Sequence, residues 1–287
     1  MGSLKALTLA GVLAAGVIHT AQAADLLPPP PAIEAPLRGT MSETSGFYLR
    51  GDVGVGIAGA TNLKQSFDAG FTVPGLRVDA DKRGDQAFAG VGVGYKFNNW
   101  FRADLTGEYR SAASWNAIAS WSNGVATPAA CVSGRCYDHY TGHIANSVFL
   151  ANAYADLGTW SGLTPFVGVG LGTAQHRFQS LTDVDHQLGA FGYAGDKSSW
   201  KFAWALMAGL SYDVTQNLKL ELGYRYLNMG KAASGHIVCQ VAPGGACGNE
   251  VQRVKMDSHD IRLGMRWMLG GDTAVAAAMP APLVRKY

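Results

Sequence analysis

The chain has 287 residues, enough for one large or two small domains, and its net charge of +2 excludes the strongly basic character of a nucleic-acid-binding protein. Its 37 glycines and its low content of charged residues, 15%, are unusual for a soluble enzyme. Hydrophobic residues at 48% suit either a soluble core or a barrel of alternating strands.

Residues 1–23 read as a secretory signal peptide: Lys5 supplies a short positive region, Ala6 to Ile18 an apolar run, and Ala21-Gln22-Ala23 a small-residue cleavage site. The run is too short for a membrane helix, which needs roughly 20 apolar residues. Residues 24–45 hold four consecutive prolines, Pro28 to Pro31, which lack the donor a sheet requires, so this stretch reads as a stiff extended leader.

Eight strands are predicted beyond it, near 46–58, 86–97, 100–112, 147–158, 164–177, 200–214, 218–230 and 258–269, each close to the 9 to 11 residues that a tilted strand needs to cross a bilayer. The last is the clearest. Ile261, Leu263, Met265, Trp267 and Leu269 alternate with Asp260, Arg262, Gly264, Arg266 and Met268, which sends apolar side chains to one face and mostly charged ones to the other. The same sorting recurs upstream. Phe47, Leu49, Val53 and Val55 share one face of the first strand, and Leu220, Leu222, Tyr224 and Tyr226 one face of the seventh. On the alternate face stand Arg50, Asp52, Lys96, Arg102, Asp104, Glu108, Arg110, Asp156, Lys219, Glu221 and Arg225, joined at the end by Asp260, Arg262 and Arg266. An exposed sheet face could carry such a balance of acids and bases. In a narrow closed barrel the same charges meet across the lumen and neutralise one another, while the apolar face meets lipid.

Glycines at 54, 56, 92, 94, 168, 170, 172, 209 and 264 fall in the charged register, where missing side chains leave room for arginines and aromatic groups to fill a small interior. Gly54 to Gly59 spell G-x-G-x-x-G, but a polar segment with Pro74 follows instead of the helix a dinucleotide site needs. Connections alternate in length. Asn98-Asn99, 159–163 and Gln216-Asn217 are short, whereas 59–85, 113–146, 178–199 and 231–257 are long, the rhythm of an outer-membrane barrel with tight periplasmic turns and four long extracellular loops. An even strand count places both chain ends in the periplasm.

All four cysteines fall in the long connections, Cys131 and Cys136 in the second and Cys239 and Cys247 in the fourth. An exported chain meets an oxidising compartment, so disulfides are expected. Of the three pairings that four cysteines allow, the two local ones, Cys131 with Cys136 and Cys239 with Cys247, are favoured.

The signal followed by Ala24-Asp25-Leu26-Leu27 and the proline run, the strand opening Gly46-Phe47-Tyr48-Leu49-Arg50-Gly51-Asp52, the run Trp204 to Thr215 and the closing Ser258 to Gly264 resemble the small porin-family outer-membrane proteins, similar to opacity-type and OmpA-like barrels. The resemblance covers roughly residues 24–269. It implies an all-β, eight-stranded antiparallel transmembrane barrel over 46–269, placed in the cell outer membrane among lipid and lipopolysaccharide, with structural or surface-antigen roles and no shared catalytic site or resident cofactor. Some members bind hemin, and the long connections could take a host ligand.

Arg262, Gly264, Trp267 and Leu269 fill the slots of the signal that the outer-membrane assembly machinery reads on a last strand. The chain departs from that pattern by continuing through residues 270–287, read as a periplasmic tail. Ser258-His259-Asp260 has the residue types of a hydrolase triad, but on a strand His259 points away from its neighbours, so no relay forms. His139 and His143, beside the first disulfide, are the candidate hemin ligands. A channel for small solutes is the remaining alternative.

Overall fold

The structure is a computed structural model that describes residues 45–67, 73–122, 131, 134–185, 187, 189–240 and 249–269. The described residues form twelve strands in chain order: β1 (Gly46–Ala58), β2 (Leu63–Ser66), β3 (Arg77–Arg83), β4 (Gln86–Lys96), β5 (Phe101–Trp121), β6 (Cys136–Asp156), β7 (Leu163–Asp185), β8 (Ala190–Ala194), β9 (Lys197–Asp213), β10 (Leu218–Ala233), β11 (Val238–Gln240) and β12 (Val251–Met268). Eight of them form a ring in the order β1, β4, β5, β6, β7, β9, β10, β12, every pair antiparallel. The first strand meets the last along most of β1, from Tyr48 opposite Met268 to Ala58 opposite Ser258, so this ring has no open edge. The other four strands sit outside it, β2 on β12, β3 on β5, β8 on β7 and β11 on β8.

Side chains sort by parity. Leu49, Val53, Val55, Val91, Leu105, Val169, Leu206, Leu222, Leu263 and Met265 are exposed on the outer face. Arg50, Arg102, Arg110, Glu221 and Asp260, which share their strands, are buried. No aqueous fold exposes one set and buries the other; in a bilayer the apolar outer face is the solvated one. The apolar belt on β1 runs from Phe47 to Ile57, about 33 Å along the strand and about 23 Å in height at a 45° tilt, close to the thickness of an outer-membrane belt. Aromatic side chains border it: Phe97, Trp100 and Trp160 at the short-turn end, Trp200 and Phe202 at the other, all more than half exposed or at half.

The strands are longer than their sequence expectation. β7 has 23 residues and β5 and β6 have 21 each, about twice what the bilayer requires. The segments read as loops at 113–121, 136–146, 178–185 and 251–257 continue the sheet above the belt, where β3, β8 and β11 widen it into a crown. There the sorting reverses. Trp115, Ile144, Phe178, Leu181, Leu227, Met229, Val254 and Met256 are buried inside, while Ser114, Asn116, His143, Arg177 and Arg253 are exposed outside. Water surrounds the crown, so it packs as an ordinary soluble barrel does.

β12 passes from belt to crown in one phase, whereas β5, β7 and β10 change phase at bulges. Register shifts lie between Arg110 and Ala113 on β5, opposite Thr141 to His143 on β7, and between Asn228 and Lys231 on β10. Each inserts a residue and exchanges which parity points inward, so Arg110 and then Ala113 face the interior, as do Phe178 and Leu181. Ser180 and Gly230 take positive φ at two of these sites, 51° and 75°.

The short turns close the opposite end. The Asn98 side chain accepts hydrogen bonds from the Trp100 and Phe101 amides at 3.0 and 2.8 Å, and Thr215 Oγ1 accepts from the Leu218 amide at 3.0 Å.

Candidate functional site

The candidate functional feature of the molecule is its filled interior, built in three levels. At the lowest, Arg50 on β1 reaches across the ring. It donates to both oxygens of Asp52 at 2.9 Å, to Asp104 at 2.7 Å and to the Tyr154 hydroxyl at 2.8 Å. Glu221 on β10 gathers three guanidinium groups, Arg50 at 3.4 Å and Arg102 and Arg266 at 3.3 Å each. Arg102 also pairs with Asp156 at 3.1 Å, and Arg262 with Asp52 at 3.0 Å. Four arginines, 50, 102, 262 and 266, thus face four carboxylates, 52, 104, 156 and 221, so this level is neutral. Neutrality and shared hydrogen bonds are what make buried charge tolerable. Rings complete the packing: Arg102 lies 4.1 Å from the Tyr154 ring centre and Arg266 lies 5.3 Å from that of Tyr48.

Above it, Arg110 and Arg225 hold Glu108 and Asp260. Arg110 grips both oxygens of Asp260, at 3.0 and 2.7 Å, and Arg225 reaches Asp260 at 2.6 Å and Glu108 at 2.8 Å. Both guanidinium groups lie over the Phe88 ring, at 4.8 and 5.1 Å. Two cations again meet two anions. The third level is uncharged apart from Arg83: Gln86 donates to the carbonyls of Ser111 and Ile144 at 2.6 and 3.0 Å, Asn146 donates to Gln86 at 2.9 Å, and His176 bonds Asn146 at 2.6 Å and the Met229 carbonyl at 2.8 Å. The apolar crown core stands directly over it.

Glycine makes the close fit sterically feasible. A methyl at Gly94 would run into the Tyr48 ring and lie 2.7 Å from the Ala103 carbonyl oxygen, and one at Gly92 would lie 2.7 Å from the Leu105 carbonyl oxygen.

Lys96 and Lys219, the remaining charges of the alternate register, are buried at the short-turn end, where Lys219 pairs with Asp213 at 2.6 Å. Arg262 and Gly264 face the interior, whereas Trp267 and Leu269 face the belt. Ser258 and Asp260 both point inward, 2.6 Å apart, and His259 points outward to the Tyr224 hydroxyl at 2.7 Å, so the three do not converge. His139 and His143 lie on strand β6, not on a loop, with side chains on the outer face and backbones about 13 Å apart by strand rise. Cys131 and Cys136 are disulfide-bonded with Cα atoms 4.8 Å apart. Cys239 lies in β11 and is disulfide-bonded as well; Cys247, its expected partner, lies outside the described residues. So do the expected signal, most of the leader, and the tail from residue 270.

Several interior groups escaped the sequence reading, among them Tyr48, Tyr154, Asn152, Gln86, Asn146 and His176. Tyr48 shares the parity of Arg50 and was accessible by that rule. Asn152, which donates to Asp104 at 2.7 Å, sits on a strand whose inward positions are mostly uncharged and so give no charge signal.

At the crown's open end the inner face becomes acidic. Asp138 stands directly opposite Asp185, and Tyr140 opposite Asp183. Glu250 accepts from Gln65 at 2.7 Å and from Gln252 at 2.5 Å. Burial, reinforced by the neighbouring carboxylates, pushes Asp138 and Glu250 up to about 7 and Asp183 up to about 8.

Comparison with known proteins agrees with this architecture. Residues 10–268 match the model of the outer membrane protein beta-barrel domain. An uncharacterized protein of Brucella abortus (strain 2308) is 35% identical over 274 residues, covering 87% of this chain and 93% of that protein. The outer membrane protein PagN of Salmonella typhimurium is 22% identical over 199 residues, 68% of this chain and 79% of PagN. Among solved structures, OprG of Pseudomonas aeruginosa superposes with a TM-score of 0.46 at 14% identity, over 79% of this chain and 97% of OprG. A closed ring with lipid-facing apolar side chains and this family match lead to one assignment: the chain belongs to the outer membrane protein beta-barrel domain family and resides in the outer membrane.

Proposed function

We propose that this protein is a closed barrel that stabilises the outer membrane and holds a rigid crown at the cell surface, not a channel. The observation that carries the reading is the filled interior: ion-paired side chains span the lumen at two levels and an apolar core occupies the level above. A diffusion channel needs a hydrated path, and desolvated, mutually neutralised charges do not supply one. The crown is suited to contact because its strands continue far beyond the bilayer and its second connection is tied by the Cys131–Cys136 disulfide. A host-contact role is supported by a proposed adhesin of Rickettsia bellii (strain RML369-C), 25% identical over 225 residues and 77% of this chain. Residues 1–23 serve as the cleaved export signal in this reading, and N-terminal sequencing of the mature protein should begin at Ala24.

Planar-bilayer recording tests the closed-barrel reading. Purified folded protein should leave the bilayer silent. Regular conductance steps of porin size would overturn it.

A further inference from the structure

One outward face of the crown carries cations that the lumen network does not use. Lys64 on β2 stands directly opposite Arg253 on β12, and Lys255, two positions along β12, stands directly opposite Lys231 on β10. All four side chains lie on the outer face, because the alternating positions Leu63, Val254, Met256 and Ala232 are buried. Like charges placed directly across a sheet repel, since the Cβ atoms of such a pair are only about 5 Å apart. Two adjoining like-charged pairs therefore need a compensating anion. Asp257, 2.9 Å from Lys255, supplies one carboxylate. Among the described residues no other carboxylate lies within ion-pair distance of Lys64, Lys231, Lys255 or Arg253.

The height of the patch identifies the missing anion. The same two strands carry, toward the membrane, His259 beside Tyr226 and then Ile261 beside Tyr224, the upper border of the apolar belt. Lys255 lies four positions above His259, about 13 Å along the strand and about 9 Å in height at a 45° tilt. That is the headgroup zone of the outer leaflet, and long basic side chains bend down toward it. We infer that Lys64, Lys231, Arg253 and Lys255 form a binding surface for the phosphate groups of outer-leaflet glycolipid. The inference rests on the membrane placement of the belt and is independent of whether the lumen conducts. A soluble sulfated glycan would satisfy the same charges, but would not require them to stand at bilayer height beside the aromatic border.

The full-length barrel, folded in detergent, can be titrated with lipid A carrying its phosphates, with enzymatically dephosphorylated lipid A, and with a heparin fragment. Phosphorylated lipid A should bind, and both dephosphorylation and the double variant Lys231→Glu/Arg253→Glu should weaken binding roughly tenfold or more. Lys82→Glu/Arg177→Glu, exposed cations elsewhere on the crown, should bind as the parent does. Equal affinity for the two lipid forms, unchanged affinity in the Lys231/Arg253 variant, or binding of the heparin fragment with none of lipid A overturns the assignment. Heat-modifiable gel mobility verifies that each variant is folded. Should the charge reversal prevent folding, Lys231→Gln/Arg253→Gln is held to the same criterion.

Discussion

Among single residues, Glu221 carries the most. It is buried and faces Arg50, Arg102 and Arg266 at once, so Glu221→Gln leaves Arg50 with Asp52 and Asp104 and Arg102 with Asp156 but takes from Arg266 its carboxylate, and one buried positive charge goes uncompensated. Removing one partner of a buried ion pair costs about 3–5 kcal/mol. Urea unfolding in liposomes should show a loss of that order, whereas Lys82→Glu on the exposed crown should change it little. Gly94→Ala is expected to destabilise by about 1–3 kcal/mol, because the added methyl meets the Tyr48 ring and a backbone carbonyl, neither of which can retreat without moving the lower ionic level. Much of this level was legible from period-two alternation, since Arg50, Arg102, Glu221 and Arg266 are charged residues in strands too apolar to be loops. Which arginine meets which carboxylate was not, because the contacts cross the ring between strands far apart in sequence, as Arg50 and Glu221 do.

At the scale of elements, the bulges decide the outcome. A strictly alternating reading of β7 carries Phe178 inward and then Ser180, whereas the structure places Leu181 inside because Ser180, at positive φ, is the inserted residue. Sequence gives little warning of such an insertion, and that is why the upper halves of β5 and β7 read as loops. Replacing Ser180 with valine, a β-branched residue that resists positive φ, should favour uninterrupted alternation and turn Leu181 out of the crown core, leaving the belt intact. Limited proteolysis should then cut the crown while heat-modifiability of the barrel persists; an unaltered digestion pattern would contradict the role given to the bulge. The acidic end of the crown adds a pH dependence. Asp138, Asp183 and Glu250 titrate above the usual carboxylate range near 4, so the fold favours their protonated forms. Their penalty is absent below about pH 4, grows as pH rises toward 7 and 8, and is complete above that. Asp183→Asn should therefore slow hydrogen exchange of the crown at pH 9 and leave it unchanged at pH 4.

For the whole molecule, one chain answers two solvents. Within the bilayer the outer face is apolar and the inner face ionic; above it the outer face is largely polar, with Phe191, Tyr193 and Val238 as exposed exceptions, and the inner face apolar, and β12 runs through both regions in a single phase, with Val254 and Met256 inside the crown and Asp260, Arg262 and Arg266 inside the belt. The belt was readable in advance because lipid imposes a pattern that no aqueous fold needs. The crown was not, since its polar exterior and apolar interior resemble any soluble sheet interrupted by turns. Spin labels placed singly along β12 report this inversion most directly through their collision rates with oxygen, which partitions into lipid, and with a water-soluble nickel complex. Labels at Ile261, Leu263, Met265 and Trp267 should favour oxygen, labels at Arg253 and Lys255 should favour the nickel complex, and labels at Val254 and Met256 should be shielded from both. Access of the nickel complex to Ile261 through Trp267, or the absence of any two-residue period, would contradict a closed barrel with lipid outside and ion pairs within.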